Sequence, residues 1–434
     1  MSELFSKIHN HLPVFSIVYK RKNIIYTPGF YIVVERTPGN SLKKMVNNPS
    51  QIENAQFRNS INGLLAVSQD SVNAWEKRKT EPFIPECLTI HVGNECNLNC
   101  DYCYSKIGTN SKLKGFPAIK DIESAFHYLL SNGGVKTKKT TVVYHGSGEP
   151  TYFWNKLVSA YDHISQLAQK NDITVFNYLA TNGILNEEQI SWLANNMDQI
   201  GISCDGPYQI HTEHRKINEG DFRHLEKTCR LLHDKKARYS VRSTITPQTM
   251  TKQVDIVKYL IHDLYATQIR FEPVYLFENG FEESQVPHFI DCFLEARSYA
   301  MKKGAYLEFS GVRLNELHST YCDISRNTLR LTSEGIFRNC FCKFHDNNNF
   351  NVGWTVKNHK GVVLNPTLKE IKDRAFEIPQ NCKNCINIFH CSRGCPDFCF
   401  FDELSNQGLI DFKCKLHQLF SVSEIKQLVD NNFA

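Results

Sequence analysis

The chain has 434 residues, of which 41% are hydrophobic and 22% charged, and its formal net charge is +5. This length allows two or three domains with buried cores. The net charge is mild, and no run of Lys and Arg reaches the density of a nucleic-acid arm or a polybasic anchor. No apolar run approaches the ~18 residues that span a bilayer. We therefore expect no nucleic-acid or membrane partner. The N-terminus lacks a signal-peptide pattern, so we expect a cytoplasmic location.

Residues 1–86 have the pattern of a small α+β segment. The stretch FSIVYKRKNIIYTPGFYIVVER (15–36) predicts two or three antiparallel strands with turns at RKN and TPG. Residues 50–78 then predict one or two helices. We interpret this segment either as a separate domain or as an extension of the domain that follows.

Strand and helix patterns alternate about six times between residues 87 and 305. The apolar runs are LTIHVG (88–93), TTVVYH (140–145), ITVFNYLA (173–180), QIGISC (199–204), RYSVRST (238–244) and QIRFEPV (268–274). This alternation predicts a parallel sheet whose site lies at the C-terminal ends of the strands. Because six units are fewer than the eight of a closed barrel, we expect an α/β fold with an open, partial (β/α)6 TIM-like barrel.

The sixteen cysteines are clustered, which favours metal binding or redox chemistry over disulfides in a reducing compartment. Cys96, Cys100 and Cys103 lie in the loop after the first predicted barrel strand, with the spacing C-x3-C-x2-C. A structural zinc site normally takes four protein ligands. Three thiolates in one loop instead suit a [4Fe–4S] cluster with one iron left open for a small molecule.

These motifs resemble the radical S-adenosylmethionine (SAM) superfamily. The C-x3-C-x2-C motif has an aromatic residue before its last cysteine, and the loop GSGEP (146–150) is a G-x-G-E-P version of the family's G-G-E-P. The resemblance implies that the open iron binds SAM and that a 5′-deoxyadenosyl radical formed from SAM takes a hydrogen from the substrate. Glu149 and the Gly148 region would receive the SAM amino group. The cofactor-binding residues implied here are Tyr102, Gly146, Gly148, Glu149 and Pro150.

The segment ISCDGPYQIHTEHR (202–215) resembles the S-x-D-G segment of the subgroup that contains sulfatase-maturing enzymes. The resemblance implies that Ser203 lies near the ribose or carboxylate of SAM and that Arg223 pairs with the carboxylate. Both residues are equally compatible with a structural role. Asp205 is expected only to fix the turn with Gly206.

The cysteines of residues 306–434 resemble a SPASM domain, which carries two auxiliary Fe–S clusters; a zinc knuckle is the alternative. The spacing is C-x12-G-x4-C, then C-x2-C-x5-C-x3-C, then a last cysteine after eighteen residues. By position, the resemblance implies an outer cluster on Cys382, Cys385, Cys391 and Cys414. It implies an inner cluster on Cys322, Cys340 and Cys395, whose fourth ligand is Cys342, His318 or Cys399, unless that iron is open.

The resemblance implies an enzyme that modifies a ribosomal peptide or protein, most often by forming a crosslink, with a reducing partner such as flavodoxin or ferredoxin. Residues 1–86 would bind a leader peptide. Phe341 stands where sulfatase-maturing enzymes have an Asp base, which argues against formylglycine formation. The alternatives are a formylglycine maturase, a radical SAM enzyme acting on a small molecule, and a non-catalytic Fe–S electron carrier, which would need neither the open iron nor the GEP loop.

Overall fold

A computed structural model describes residues 4–103, 113–132, 138–274, 280–318, 322–339, 351–356, 361–391 and 407–433, with the side chains of 407–410, 432 and 433 left out. Within these ranges the chain forms a small N-terminal sheet, a large mixed sheet and eleven α-helices. None of the described helices is both long enough and apolar enough to cross a membrane.

The N-terminal sheet is antiparallel, and its strands are neighbours in chain order. They are β1 (Ser6–Lys7), β2 (Phe15–Tyr19), β3 (Lys22–Thr27) and β4 (Phe30–Glu35). Gly29, in the β3–β4 turn, has a φ of 85°, which glycine adopts without strain. Helices α1 (Gly39–Asn47) and α2 (Ala55–Thr80) follow. The predicted order of strands followed by helices is therefore confirmed.

Six parallel strands form the middle of the large sheet in chain order, as predicted. They are β5 (Cys87–Val92), β6 (Lys139–Gly146), β7 (Thr174–Thr181), β8 (Gln199–Ser203), β9 (Tyr239–Ile245) and β10 (Gln268–Pro273). The helices between and after them are α3 (Ile119–Asn132), α4 (Trp154–Lys170), α5 (Glu187–Asn196), α6 (Tyr208–Arg215), α7 (Glu219–Asp234), α8 (Gln253–His262) and α9 (Val286–Lys302).

Alternate side chains of the parallel strands belong to two different environments. One set, such as Ile90, Tyr144 and Ile202, is fully buried in the hydrophobic core formed with the helices. The other set faces the inside of the partial barrel. We call this inner face the lumen; His91, Tyr178, Ser203 and Arg242 are among the residues that line it.

The large sheet extends beyond the six predicted strands at both edges. β11 (Tyr306–Glu308) pairs in parallel with β10, and β12 (Thr328–Thr332) pairs in parallel with β5. Beyond β12 the antiparallel strands are β13 (Ile336–Arg338), β14 (Asn351–Thr355) and β15 (Val362–Leu364). Within the described residues the large sheet thus has eleven strands, eight of them parallel, and its edge strands β11 and β15 do not pair with each other. The predicted domain boundaries at residues 86 and 305 stay predictions.

The C-terminal part contains more regular structure than its sequence pattern indicates. After α10 (Leu368–Phe376), the helix α11 (Gln407–Phe433) runs for 27 residues. Its Phe412, Leu416 and Phe420 belong to the barrel core, whereas Ile425 and Val429 pack against the N-terminal sheet. Because α11 buries residues against two different layers, its apolar residues do not form a single stripe.

Candidate active site

The loops after β5 and β6 meet at one edge of the sheet, because these strands pair in parallel with Val92 opposite Gly146. His91 Nε2 of β5 lies 2.9 Å from Ser147 Oγ of the second loop, and both residues are buried. The C-x3-C-x2-C segment and the GSGEP segment, which the sequence placed in separate loops, therefore lie side by side.

The two glycines of GSGEP allow its backbone to contact the backbone just before the cysteine motif. A Cβ on Gly148 would lie 2.2 Å from the carbonyl oxygen of Glu95 and 2.3 Å from that of Gly93. A Cβ on Gly146 would lie 2.4 Å from the carbonyl oxygen of Val92. Any side chain at either position would displace backbone, so glycine is required where the two loops pack together.

Glu149 is buried, and both of its carboxylate oxygens accept hydrogen bonds. Oε1 accepts from the backbone N–H of Thr151 at 3.1 Å and from its hydroxyl at 2.8 Å, and Oε2 accepts from the N–H of Asn182 at 2.7 Å. Burial raises the pKa of Glu149, and these hydrogen bonds oppose that effect. Glu149 also caps a short 3₁₀ turn that begins at Pro150. It thus joins the β6 and β7 loops, while its contact with a SAM amino group stays a prediction.

Tyr102, Asp205 and Arg215 form a buried polar group that connects the cysteine loop to the β8 loop. Arg215 donates to Asp205 from Nε at 2.9 Å and from Nη2 at 3.1 Å, and the Tyr102 hydroxyl donates to the same carboxylate. The N–H of Thr244 on β9 also donates to Asp205, at 2.9 Å. Burial alone would raise the pKa of Asp205, but the Arg215 guanidinium outweighs it and holds that pKa at about 2. Asp205 is therefore a charged anchor in addition to a turn residue.

Further contacts hold the cysteine loop against α6 and the β7 loop. The N–H of Asp101 donates to the carbonyl of His214 at 2.9 Å, and Lys216 forms an ion pair with Asp101 at 2.8 Å. The side-chain amide of Asn182 donates to that of Asn97 at 2.7 Å. Leu98 is buried in a small apolar cluster. The loop that carries the three cysteines is thus fixed on both sides.

The donor set of this loop fits an iron–sulfur cluster. Cys96 is exposed, whereas Cys100 and Cys103 are half-buried, and all three lie within eight residues. In a [4Fe–4S] cluster each thiolate binds a different iron, so the thiolates lie further apart than the ligands of a single ion. Among the described residues no three His, Cys, Asp or Glu side chains converge on a single-ion site. That these three cysteines bind the cluster remains a prediction.

The structure separates the two residues predicted to contact the ribose and carboxylate of SAM. Ser203 ends β8 and is half-buried, beside the anchor residue Asp205. Arg223 instead lies on the outer side of α7, where its side chain is 71% exposed and pairs with Glu219 at 2.5 Å. The geometry therefore places Ser203, but not Arg223, at the strand ends.

Arg215 is the site residue that the sequence interpretation missed. It was present in the quoted segment ISCDGPYQIHTEHR, one helical turn after His211, which accepts a hydrogen bond from the N–H of Asp205 at 3.2 Å. The signal was the i, i+4 spacing of these two residues, which places both on the face of α6 that packs under the β8 loop.

The predicted inner cluster is only partly covered by the described residues. Cys322 is buried, and the next residue, Asp323, pairs with the buried Arg330 of β12 at 2.6 Å. The other predicted ligands, Cys340 and Cys395, lie outside the described residues. The fourth-ligand candidates Cys342 and Cys399 and the residue Phe341 also lie outside them. His318 is buried and lies 2.9 Å from a carboxylate oxygen of Glu316.

Two of the predicted outer-cluster cysteines, Cys385 and Cys391, lie against α11, which itself carries Cys414. Cys382 and Cys385 occupy a tight turn, and the Gln418 side chain of α11 donates to Cys385 Sγ at 3.8 Å. His417, also on α11, is buried with its Nδ1 2.9 Å from Cys391 Sγ. Cys414 precedes His417 by three residues and therefore lies on the same helix face.

Comparison with known proteins identifies the barrel. Residues 90–260 match the family model of the Radical SAM superfamily. Residues 90–260 therefore form a radical SAM domain, and the chain is an enzyme. The match confirms the predicted cofactors, a [4Fe–4S] cluster and SAM. It also favours an enzyme over the alternative of a non-catalytic Fe–S electron carrier.

The relatives of this chain include a sulfatase-maturating enzyme and a radical SAM cyclopropyl synthase. The cysteine-type anaerobic sulfatase-maturating enzyme of Clostridium perfringens is 24% identical over 340 residues, 69% of this chain and 85% of that enzyme. The radical SAM cyclopropyl synthase TigE of Paramaledivibacter caminithermalis is 20% identical and covers 82% of this chain and 79% of TigE.

Two solved structures share the fold. Native anSMEcpe with bound AdoMet has a TM-score of 0.63 at 18% identity, over 80% of this chain and 99% of that chain. Streptococcus suis SuiB bound to the precursor peptide SuiA has a TM-score of 0.50 at 13% identity, over 90% of this chain and 94% of that chain. The predicted partial-barrel fold class is therefore confirmed.

Proposed function

We propose that this radical SAM enzyme modifies a ribosomally made peptide or protein, with crosslink formation as the foremost outcome. The observation that carries the proposal is the open edge of the N-terminal sheet. Strand β4 pairs with β3 and, among the described residues, with no other strand, and all six of its residues are exposed or half-exposed. Such an edge can pair with an extended peptide backbone irrespective of its side chains. The SuiB structure, which contains a precursor peptide, supports the same class of substrate.

The proposal assigns separate roles to the three cysteine groups. Cys96, Cys100 and Cys103 would hold the cluster that binds SAM, and that cofactor pair supplies a radical able to take a hydrogen atom from the substrate. The auxiliary clusters would be held by Cys382, Cys385, Cys391 and Cys414 and by Cys322, Cys340 and Cys395. A flavodoxin- or ferredoxin-like protein would supply the electrons.

The N-terminal sheet is fixed to the segment that would hold the outer cluster. Phe15 and Ile17 of β2 share a hydrophobic core with Ile425 of α11. The Tyr26 hydroxyl of β3 lies 2.7 Å from Nε2 of the buried His390, the residue before Cys391. A peptide added to β4 would therefore be held in a defined position relative to the clusters. This supports a peptide-docking role for residues 1–86.

Replacing Val33 with proline tests docking on β4. Thr27 and Phe30 flank a two-residue turn and therefore form a hydrogen-bonded pair. Counting from Phe30, every second residue of β4 donates its N–H to β3, and the residues between them direct their N–H groups away from β3. Val33 is one of them, and proline there removes an outward donor without removing a hairpin bond. We expect Val33→Pro to weaken peptide binding by about tenfold, measured by fluorescence anisotropy with labelled peptides encoded beside the gene.

Val33→Ala is the matched control, because it removes the same side chain and retains the N–H. Equal binding by both variants would contradict docking on this edge. The function itself is tested separately, by 5′-deoxyadenosine formation and by the mass of each peptide after reaction with SAM and a reductant. Loss of two hydrogens that fragmentation assigns to a bond between two residues supports a crosslink. A cysteine that loses its sulfur and two hydrogens and gains one oxygen, or a single serine that loses two hydrogens, supports formylglycine. Modification of a free metabolite, with every peptide unchanged, would exclude a peptide substrate.

His417 provides a test of the outer cluster that does not depend on substrate. If Cys391 binds iron as a thiolate, the N–H of His417 at 2.9 Å donates to its sulfur and stabilises the reduced, more negative cluster. We expect His417→Leu to lower the midpoint potential of one auxiliary cluster and to leave the other clusters unchanged, measured by redox titration with electron paramagnetic resonance. His417→Gln retains a donor and should restore part of the shift. Unchanged potentials in a leucine variant with full iron content would remove Cys391 from the ligand set.

A further inference from the structure

Arg242 faces the lumen, as the positions of its neighbours on β9 show. Val241 and Ile245 are fully buried in the core between the sheet and the helices, so the intervening Arg242 lies on the opposite face of the strand. His145 on β6 alternates in the same way with the buried Tyr144. Burial and then the charge of Arg242 lower the pKa of His145 to about 3.

The arginines of the lumen differ in how their charges are balanced. Arg270 of β10 donates to Glu308 of β11 at 2.7 Å, and Arg330 of β12 pairs with Asp323 at 2.6 Å. Arg242 forms no ion pair with any carboxylate of the described residues. Its side chain is also exposed, so it remains accessible from the lumen. The described part of the lumen therefore contains one arginine whose charge is not balanced by a protein carboxylate.

Two hydroxyl groups lie beside this arginine. Ser203 is the register partner of Arg242 across the parallel β8–β9 pair, and paired residues of neighbouring strands point to the same face. A Cβ on Gly201 would lie 2.2 Å from the hydroxyl oxygen of Tyr178, so that phenol lies over the backbone of β8. A planar guanidinium flanked by hydroxyl donors is a set that matches a carboxylate.

We propose that Arg242, with Ser203 and Tyr178, binds an ionised carboxylate in the lumen. The inference rests on the proposed function in one respect, namely that SAM and substrate meet at this end of the barrel. The carboxylate has two sources, SAM itself or an acidic group of the substrate. In either case Arg242, and not Arg223, binds the carboxylate. The side chain of Arg223, to which the sequence analysis assigned this role, lies on the outer face of α7.

Calorimetry on the anaerobically reconstituted full chain tests the proposal and separates the two sources. SAM and decarboxylated SAM are titrated into the parent, Arg242→Gln and Arg242→Lys proteins, and N-acetylglutamate is titrated into the SAM-loaded forms. If the site binds the carboxylate of SAM, Arg242→Gln weakens the binding of SAM by about tenfold or more. The affinity for decarboxylated SAM then stays within about twofold of the parent value. If it holds substrate, SAM binding is unchanged and the binding of N-acetylglutamate is lost.

Arg242→Lys retains the charge without the planar fork and should give an intermediate loss. If the binding of SAM and of decarboxylated SAM were weakened equally, Arg242 would have a structural role and the proposal would be overturned. Unchanged binding in every titration would also overturn it. Iron content and circular dichroism establish that each variant is folded and loaded. Because SAM binding is measured without a peptide, loss of the carboxylate site and loss of the peptide-modifying function are separate results.

Discussion

Replacing Cys96, Cys100 and Cys103 together with alanine is expected to abolish formation of 5′-deoxyadenosine from SAM. The three thiols lie in one loop beside the GSGEP segment. Without thiolates the cluster that binds SAM has no ligands. If all three cysteine groups carry [4Fe–4S] clusters, the variant should retain about two thirds of the parent iron.

The matched control is Cys292→Ala on α9, which removes a half-buried thiol outside the three groups. It should retain both the iron and the cleavage rate. Cleavage of SAM at the parent rate by the triple variant would disprove the ligand assignment. Bound zinc with no iron in the parent protein would disprove all three cluster assignments.

The barrel strands could be predicted from the sequence because each is a local pattern. Runs such as TTVVYH are apolar, β-branched and bounded by polar residues, and the corresponding strand β6 spans Lys139–Gly146. The loops that follow these strands then necessarily share one edge of a parallel sheet. The neighbourhood of the C-x3-C-x2-C and GSGEP segments follows from that rule together with the spacing of the motifs.

Long-range pairing and burial were not predictable in the same way. Strand β12 lies more than two hundred residues from β5, with which it pairs, and its five residues contain no signal that specifies this partner. Helix α11 buries residues against two layers, which removes the single apolar stripe on which a helix prediction depends. Arg215 and Arg223 are equally charged in the sequence, and only tertiary packing buries one and exposes the other.

Replacing Arg215 with glutamine is expected to destabilise the cysteine loop strongly. Asp205 is fully buried, and without the guanidinium its carboxylate is a buried charge with no opposite charge beside it. Breaking a buried pair in this way costs about 3–5 kcal/mol. Because Asp205 also accepts the Tyr102 hydroxyl, the loss is transmitted to the residue just before Cys103. We expect reduced iron at the SAM-binding cluster and a lower unfolding temperature.

Two further variants separate the anchor from a general loss of charge. Tyr102→Phe retains the Asp205–Arg215 pair and removes one hydrogen bond, so it should have a much smaller effect. Lys227→Gln removes a cation from an exposed pair with Glu187 on the same side of the barrel, which should change stability by less than about 1 kcal/mol.

In the double variant Asp205→Asn, Arg215→Gln both charges are absent, so stability should partly recover relative to Arg215→Gln alone. Iron content and 5′-deoxyadenosine formation should recover less than stability, because the amide at position 205 binds the Tyr102 hydroxyl more weakly than a carboxylate does. If Arg215→Gln retained the parent iron content and unfolding temperature, the buried pair would not be what holds the cysteine loop in place.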